Sequence, residues 1–460
     1  MTEAPSTDSP LRGEIKALTG LRIVAAVWVV AFHFMFTPGE SYRFVWEPWR
    51  PLLNTGALGV DLFFVLSGFV ITLSYLDKMG ARPTVRSFVG FCWARICRVW
   101  PVYALVTTLF GGWLVYRAGR VGEGAAAFQA VQPVVDVEHY IEQLLMVQLW
   151  DQSAFDGSSW VGPGWSISAE WAAYVCFPLV VLVLWRLRRL PAPVLMTLAV
   201  LCLAPIAWRC LTVGDPYYPW SWAVRIGGGF AAGALTCLAV RRLRITPRVQ
   251  LIGSRVAIAA LAQILLGLWW GFQRGGGENN FGGIVVVLFP VLVGALAISR
   301  GGLARALGTD ALVHGGRISF SLYLVHIPVF EVFRSAMEWY PTVAPGTPLQ
   351  TLLAPQVFLG SFVLAHLCYR FVEEPSRLWL RDRGPGRWAR SAPAADLAVA
   401  APAPALSGEH GRRAGTRTTV PPTLPGPRRH PDLGERVDGD RVLTSAWRAT
   451  QATGSDSSAA

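Results

Sequence analysis

The chain has 460 residues, of which 53% are apolar and only 15% charged, with 20 Trp. Soluble domains carry about 25% charged residues, so a soluble globular enzyme is excluded, and apolar blocks of about 20 residues in place of short alternating segments exclude a β-barrel. The formal net charge of +12 does not point to nucleic acid, because Arg gathers in alternate loops and in the C-terminal stretch, as membrane topology requires.

The fold class this predicts is all-α, a polytopic membrane protein of about ten transmembrane helices. Residues 1–19 read as a polar cytoplasmic lead without the apolar core of a cleavable signal peptide. Candidate spans follow at roughly 20–37, 54–76, 98–117, 168–186, 193–212, 222–240, 255–273, 281–299, 317–335 and 351–372. Basic residues follow the second span (Lys78, Arg82, Arg86, Arg95, Arg98), the fourth (Arg186, Arg188, Arg189), the sixth (Arg241, Arg242, Arg244, Arg248, Arg255) and the eighth (Arg300, Arg305, Arg317). The loops between are poorer in Lys and Arg, and the longest, about 118–164, carries Glu123, Asp136, Glu138, Glu142, Asp151 and Asp156. The positive-inside rule then puts both termini in the cytoplasm. Within the long loop, His139 to Trp150 has the pattern of an amphipathic helix lying at the outer interface. Residues 20–383 form the membrane domain. Residues 384–460, with Ala/Pro runs and then Arg, Pro and Ser, cannot bury a core and are expected to be a disordered cytoplasmic tail.

The first span, LRIVAAVWVVAFHFMFT (21–37), carries two groups that do not belong in lipid, Arg22 near its start and His33 deep inside it. Eleven residues at about 100° each make three turns, so both side chains fall on one face, about 16 Å apart along the axis. Ionisable residues on one intramembrane stripe mark a functional site by default, and a neutral imidazole is the natural general base for a hydroxyl nucleophile.

Further along, Asp61 lies in GALGVDLFFVLSGF, where Gly59 and Gly68 allow close helix approach. Its carboxylate is a candidate to pair with His33 and fix the imidazole tautomer. Arg95 and Arg98 in FCWARICRVWPVY sit three apart, on one helix face at the cytoplasmic end of the third span. They read either as snorkelling cations or as a fork for phosphate oxygens. Glu170 lies in GPGWSISAEWAAYVCFP, where Ser166 and Ser168 are candidate caps and an acid favours the helix N-terminus, or else serves the acceptor. His326 is a second intramembrane histidine, in GRISFSLYLVHIPVFEVF, and Ser321 does not share its face. No GxSxG, HExxH or P-loop pattern occurs, and the seven cysteines have no CxxC spacing, so neither a metal site nor a disulfide framework is expected.

The set Arg22-x10-His33, GVDLFFVLSGF (59–69), ARICRVWPVY (94–103), WSISAEWAAYVCFP (165–178), ISFSLYLVHIP (318–328) and FVEEP (371–375) resembles the acyltransferase 3 family, over about 16–383. These are integral-membrane O-acyltransferases that modify surface polysaccharides, lipopolysaccharide, peptidoglycan-associated glycans and some secondary metabolites. The resemblance implies transfer of an acyl group, usually acetyl from acetyl-CoA, to an acceptor hydroxyl. It carries the family's Arg-x10-His pair onto Arg22 and His33, and its basic motif onto Arg95 and Arg98. Many members have two adjacent basic residues where Ala94 and Arg95 stand here, and a small residue where Ile23 stands.

Joined, the two readings give an expected mechanism in a multi-pass protein of the plasma membrane. Acyl-CoA enters from the cytoplasm, Arg22, Arg95 and Arg98 hold its phosphates, and the pantetheine arm runs up the helix face to His33. His33, oriented by Asp61, deprotonates the acceptor, while Glu170 and His326 help hold the acceptor or the oxyanion. A covalent acyl-His intermediate is the alternative route. The expected partners are the lipid bilayer, acyl-CoA and a carbohydrate acceptor, or a glycosylated natural product such as a macrolide, with no nucleic acid and no metal. A non-enzymatic transporter is a rival reading, but the sequence lacks that class's inverted repeats.

Overall fold

A computed structural model describes residues 13–37, 42–275 and 280–384. Most of the expected N-terminal lead (1–12) and nearly all of the expected tail lie outside the described residues. Every regular element among the described residues is helical. Apolar sequence in lipid has no water to satisfy its backbone, and a helix satisfies its own.

The principal helices are α1 (Lys16–Met35), α2 (Leu58–Met79), α3 (Val85–Val121), α4 (Val137–Leu145), α5 (Trp165–Leu187), α6 (Ala192–Leu201), α7 (Ala204–Val213), α8 (Ser221–Arg241), α9 (Pro247–Gly275), α10 (Phe289–Ile298), α11 (Asp310–Trp339), α12 (Pro348–Cys368) and α13 (Glu374–Asp382). Among the described residues eight helical segments are long and apolar enough to cross a membrane, and nine when α6 and α7, bent by 42°, count as one span. The remaining expected span lies in α11, whose 30 residues are ample in length. Ser319, Ser321, His326 and Glu331 hold its hydropathy down, and all four are buried in the bundle, where a span need not be as apolar as one facing lipid.

Two expected elements come out differently. The third span is a 37-residue helix beginning at Val85, so Arg95 and Arg98 stand inside it and not at its end. Thr84 starts it, accepting from the Ser87 N–H while Ser87 accepts from the Thr84 N–H. The amphipathic helix expected over 139–150 is shorter, Val137–Leu145, capped by Asp136 and ended by Met146 in the left-handed conformation.

α2 lies at the centre, with 83% of its most apolar window buried, whereas α9 (28%) and the α12–α13 segment (22%) form the lipid-facing periphery. α2 packs against α1 and α8, and α1 packs along α11. Small residues allow these close crossings: a Cβ on Gly68 would lie 2.0 Å from the Phe230 carbonyl oxygen of α8, and one on Gly316 would lie 1.9 Å from the Thr19 carbonyl oxygen of α1. α1 and α11 run parallel, since Thr19 meets Gly316 near their starts and Phe34 meets Phe330 near their ends. The end of the bundle where α1 begins, here termed proximal, gathers the basic loops. Arg241 pairs with Asp77, Arg317 with Glu14 and Lys16 with Asp310, and Arg242 donates to the Arg189 and Leu190 carbonyls.

Candidate functional site

Two polar centres lie on the stripe of α1 that carries Arg22 and His33. The first is a cavity opening toward the proximal end. Its polar lining is Arg22 and Thr19 of α1 with Glu14 just before it, Arg95 and Arg98 of α3, Ser67 of α2, and Glu170 and Tyr174 of α5, with Phe320 of α11 beside them. The three arginines expected to converge do so. Arg95 donates to the Tyr75 hydroxyl at 3.1 Å and lies over the Tyr75 and Phe91 rings. The Arg22 guanidinium lies 5.7 Å from the centre of the Phe63 ring, and its buried Nε has no hydrogen-bond partner. A guanidinium held by an aromatic face, as Arg22 is, keeps N–H groups available for an anion.

Glu170 supplies the acid on the α5 wall. It accepts from the Ser67 hydroxyl and from the Tyr174 hydroxyl, each at 2.5 Å. Tyr174 stands four residues on from Glu170, so one face of α5 presents both. Neither expected serine cap forms. α5 starts at Trp165 after Gly164, without a side-chain cap; Ser166 instead donates to the Pro163 carbonyl and lies 2.7 Å from the Tyr323 hydroxyl. The Gly-Pro-Gly turn at 162–164 lets the chain enter the helix already turned, which removes the need for a capping side chain.

The second centre is a histidine pair. His326 of α11, fully buried, meets His33 of α1, with ring centres 5.1 Å apart. With both rings neutral, the backbone fixes their tautomers. His326 Nδ1 lies 3.2 Å from the Leu322 carbonyl, which can only accept, so that nitrogen carries the proton and donates. His326 Nε2 is then a bare acceptor, 3.2 Å from His33 Nδ1. His33 Nδ1, also 3.0 Å from the Val29 carbonyl, carries a proton that it donates to both. The lone pair of His33 Nε2 is left free, which is the form a general base needs.

Asp61 is corrected as the partner of His33. Both its oxygens accept from Arg225 of α8, at 2.9 and 2.8 Å, and the two residues are 0% and 1% exposed. Arg225 also donates to the Ala57 carbonyl and lies over the Trp165 ring. Arg225 thus claims both carboxylate oxygens, and the hydrogen bonds of His33 go to Val29 and His326 instead. The expected open track for a donor arm is also corrected. Ala26 and Val29, which share the stripe between Arg22 and His33, are both fully buried, and neither histidine lines the arginine cavity. In this conformation α1 is packed between the two centres.

Sequence reasoning passed over Ser67, Tyr174 and Arg225. The last had a readable signal, since a lone Arg inside an apolar span (WAVRIGGGF) needs an acidic partner. Among the described residues no group of three or more His, Cys, Asp or Glu side chains could hold a metal ion.

Residues 15–370 match the family of the acyltransferase domain known as acyltransferase 3. The acyltransferase MdmB of Streptomyces mycarofaciens is 26% identical over 407 residues, covering 81% of this chain and 94% of that protein. The peptidoglycan O-acetyltransferase OatA of Listeria monocytogenes is 22% identical over 396 residues, 80% of this chain but only 56% of its own length. The exopolysaccharide production protein ExoZ of Rhizobium meliloti is 28% identical over 301 residues, 65% of this chain and 84% of its own. No solved structure matches.

Proposed function

The chain belongs to the acyltransferase 3 family, and on that premise we propose that it moves an acetyl group from acetyl-CoA to a hydroxyl of a carbohydrate or glycosylated acceptor, with His33 as the base. One observation carries this reading: the His33–His326 contact leaves His33 Nε2 free as an acceptor, three helical turns from an arginine-lined cavity on the same face of α1.

In this reading the cavity takes the donor. Arg22, Arg95 and Arg98 bind its phosphate oxygens, and binding energy spent there positions the thioester. The 16 Å or so between Arg22 and His33 is a length the pantetheine arm spans when extended, so the arm must part α1 from its packed neighbours near Ala26 and Val29. His33 Nε2 accepts the proton of the acceptor hydroxyl as its oxygen attacks the thioester carbonyl. The tetrahedral intermediate then collapses, the C–S bond breaks, and the proton passes to the departing thiolate. His326 positions His33 by accepting from its Nδ1–H, and Glu170 serves the wall of the donor site. Both termini are cytoplasmic in the plasma membrane, because the loops richest in Lys and Arg gather at the proximal end.

The relatives named for peptidoglycan and exopolysaccharide favour a surface glycan as acceptor. A second reading is a small glycosylated metabolite, an acceptor class that the acyltransferase 3 resemblance also implies. Mass spectrometry of glycans and metabolites from a deletion strain separates the two by which product loses an acetyl mass. The donor site is tested with Arg98→Ala. Its KM for acetyl-CoA is expected to rise about tenfold or more, with the acceptor KM unchanged, as loss of a charge-assisted contact to phosphate requires. Equal effects on both substrates would make Arg98 structural.

A further inference from the structure

Glu373 is a carboxylate that the mechanism above leaves unused. It ends the π-helical turn Tyr369–Glu373, which joins α12 to α13. Pro375 has no N–H to give to the Phe371 carbonyl, so the regular ladder fails there and the helix widens. The widened turn packs against α3 and α11 and leaves Glu373 only 1% exposed. Ser321 of α11 donates to Glu373 Oε2 at 2.6 Å. Oε1 is buried and has no hydrogen-bond partner.

A buried carboxylate with one hydrogen bond is costly unless cations offset it. Arg98, Arg22 and Arg377 are near enough to act on it. Arg377 is held by Glu374 at 2.7 Å. Arg98 and Arg22 line the cavity, and among the described residues neither donates a hydrogen bond or forms an ion pair. The carboxylate is tethered at the cavity's edge: Ser321, which holds it, follows the cavity-lining Phe320, and the turn that carries Glu373 packs against α3, the helix that brings Arg98 to the cavity.

We propose that Glu373 is a positioning residue of the donor site. It is the resting counter-ion that keeps Arg22 and Arg98 directed at the cavity, and Ser321 tethers it so that it does not close on them. Its charge also sets how tightly the cavity grips phosphate. Free coenzyme A carries the same phosphates as acetyl-CoA, so arginines balanced by Glu170 of the α5 wall alone would hold the product more firmly than arginines that Glu373 also offsets. This inference rests on the reading that the cavity takes the donor.

The two ends of the Ser321–Glu373 contact give opposite signs in one experiment. The full-length protein is purified in lipid nanodiscs, and the Kd for free coenzyme A is measured beside kcat and KM for acetyl-CoA. Glu373→Gln keeps the shape and removes the charge. It is expected to bind coenzyme A about tenfold more tightly, as one unit charge at an effective dielectric near 20 allows, and to turn over more slowly as product release slows. Ser321→Ala frees the carboxylate to pair with Arg98 and is expected to weaken coenzyme A binding about threefold. Unchanged or weaker binding by Glu373→Gln overturns the proposal, as does weakening by both variants alike, which marks a merely structural contact. If Glu373→Gln does not fold, the Ser321→Ala result decides, and tighter or unchanged binding there overturns the proposal. Arg98→Ala separates the two readings: if it binds coenzyme A as the unaltered protein does, the donor-site reading itself fails. If it loses binding while Glu373→Gln is unchanged, only the role of Glu373 falls.

Discussion

The Asp61–Arg225 pair gives a prediction that separates architecture from chemistry. Asp61→Asn leaves a guanidinium that is 1% exposed facing a neutral amide. Breaking a buried pair by removing one partner costs about 3–5 kcal/mol, because the remaining charge stays desolvated. That is a large share of a typical total stability of about 5–15 kcal/mol, and in a chain of this size it lowers the thermal midpoint by roughly 10 °C. The double substitution Asp61→Leu with Arg225→Met removes both charges and keeps the volume apolar. It is expected to recover stability to within about 1 kcal/mol of the unaltered protein, since replacing a buried pair by packed apolar groups is often neutral. The assay is thermal unfolding in detergent, beside acetyl transfer per folded molecule. The account expects transfer to track the folded fraction, so the double variant regains both. A double variant that is stable and inactive would refute the reasoning and return Asp61 to the chemistry. A loss below about 1 kcal/mol for Asp61→Asn would show that the pair is not as desolvated as its burial implies.

Further outcomes are expected at the histidine pair and at α4. His326→Ala removes the acceptor for the His33 Nδ1 proton, and kcat is expected to fall about 10–100-fold with the KM for acetyl-CoA unchanged, as loss of the group that orients a base predicts. A raised donor KM would assign His326 to binding. In the loop helix α4, the hydrogen bond to Asp136 raises the titration of His139 above the ordinary histidine value, and nearby carboxylates add to it. The sign follows: this contribution is complete below about pH 6.5 and is lost as pH rises through the raised value. The protection of amides at the start of α4, relative to their intrinsic exchange at each pH, is therefore expected to fall between pH 6 and pH 8, and protection that holds or rises over that range would contradict it.

Much of the bundle was legible because lipid imposes a simple rule, an apolar helix of sufficient length. The spans expected over 54–76 and 222–240 reappear as α2 and α8, and Gly68 sits at one of their close approaches. The Arg22–His33 stripe was legible because helical periodicity fixes relative angles within one helix. Pairings between helices were not. His326 meets His33 across 293 residues, and Asp61 meets Arg225 across 164, distances over which periodicity says nothing. The sequence offers Asp61 two partners, the imidazole of His33 and the lone cation of α8, and only the packing of α2 on α8 decides for Arg225. The length of α3 is hidden in the sequence because its first turns carry Arg86, Arg95 and Arg98, and a window average takes such residues for loop although the helix runs through them.

The central claim is that His33 Nε2 takes the acceptor proton. The most direct measurement uses purified, reconstituted His33→Ala protein. It combines acetyl transfer from labelled acetyl-CoA to a cell-envelope glycan with coenzyme A binding on the same preparation. The account predicts a fall in kcat of about 10²–10⁴-fold, the usual contribution of a positioned base, with coenzyme A binding intact because the arginine cavity is untouched. A His33→Ala protein that binds coenzyme A normally and still transfers acetyl groups within a few-fold of the unaltered rate would contradict it.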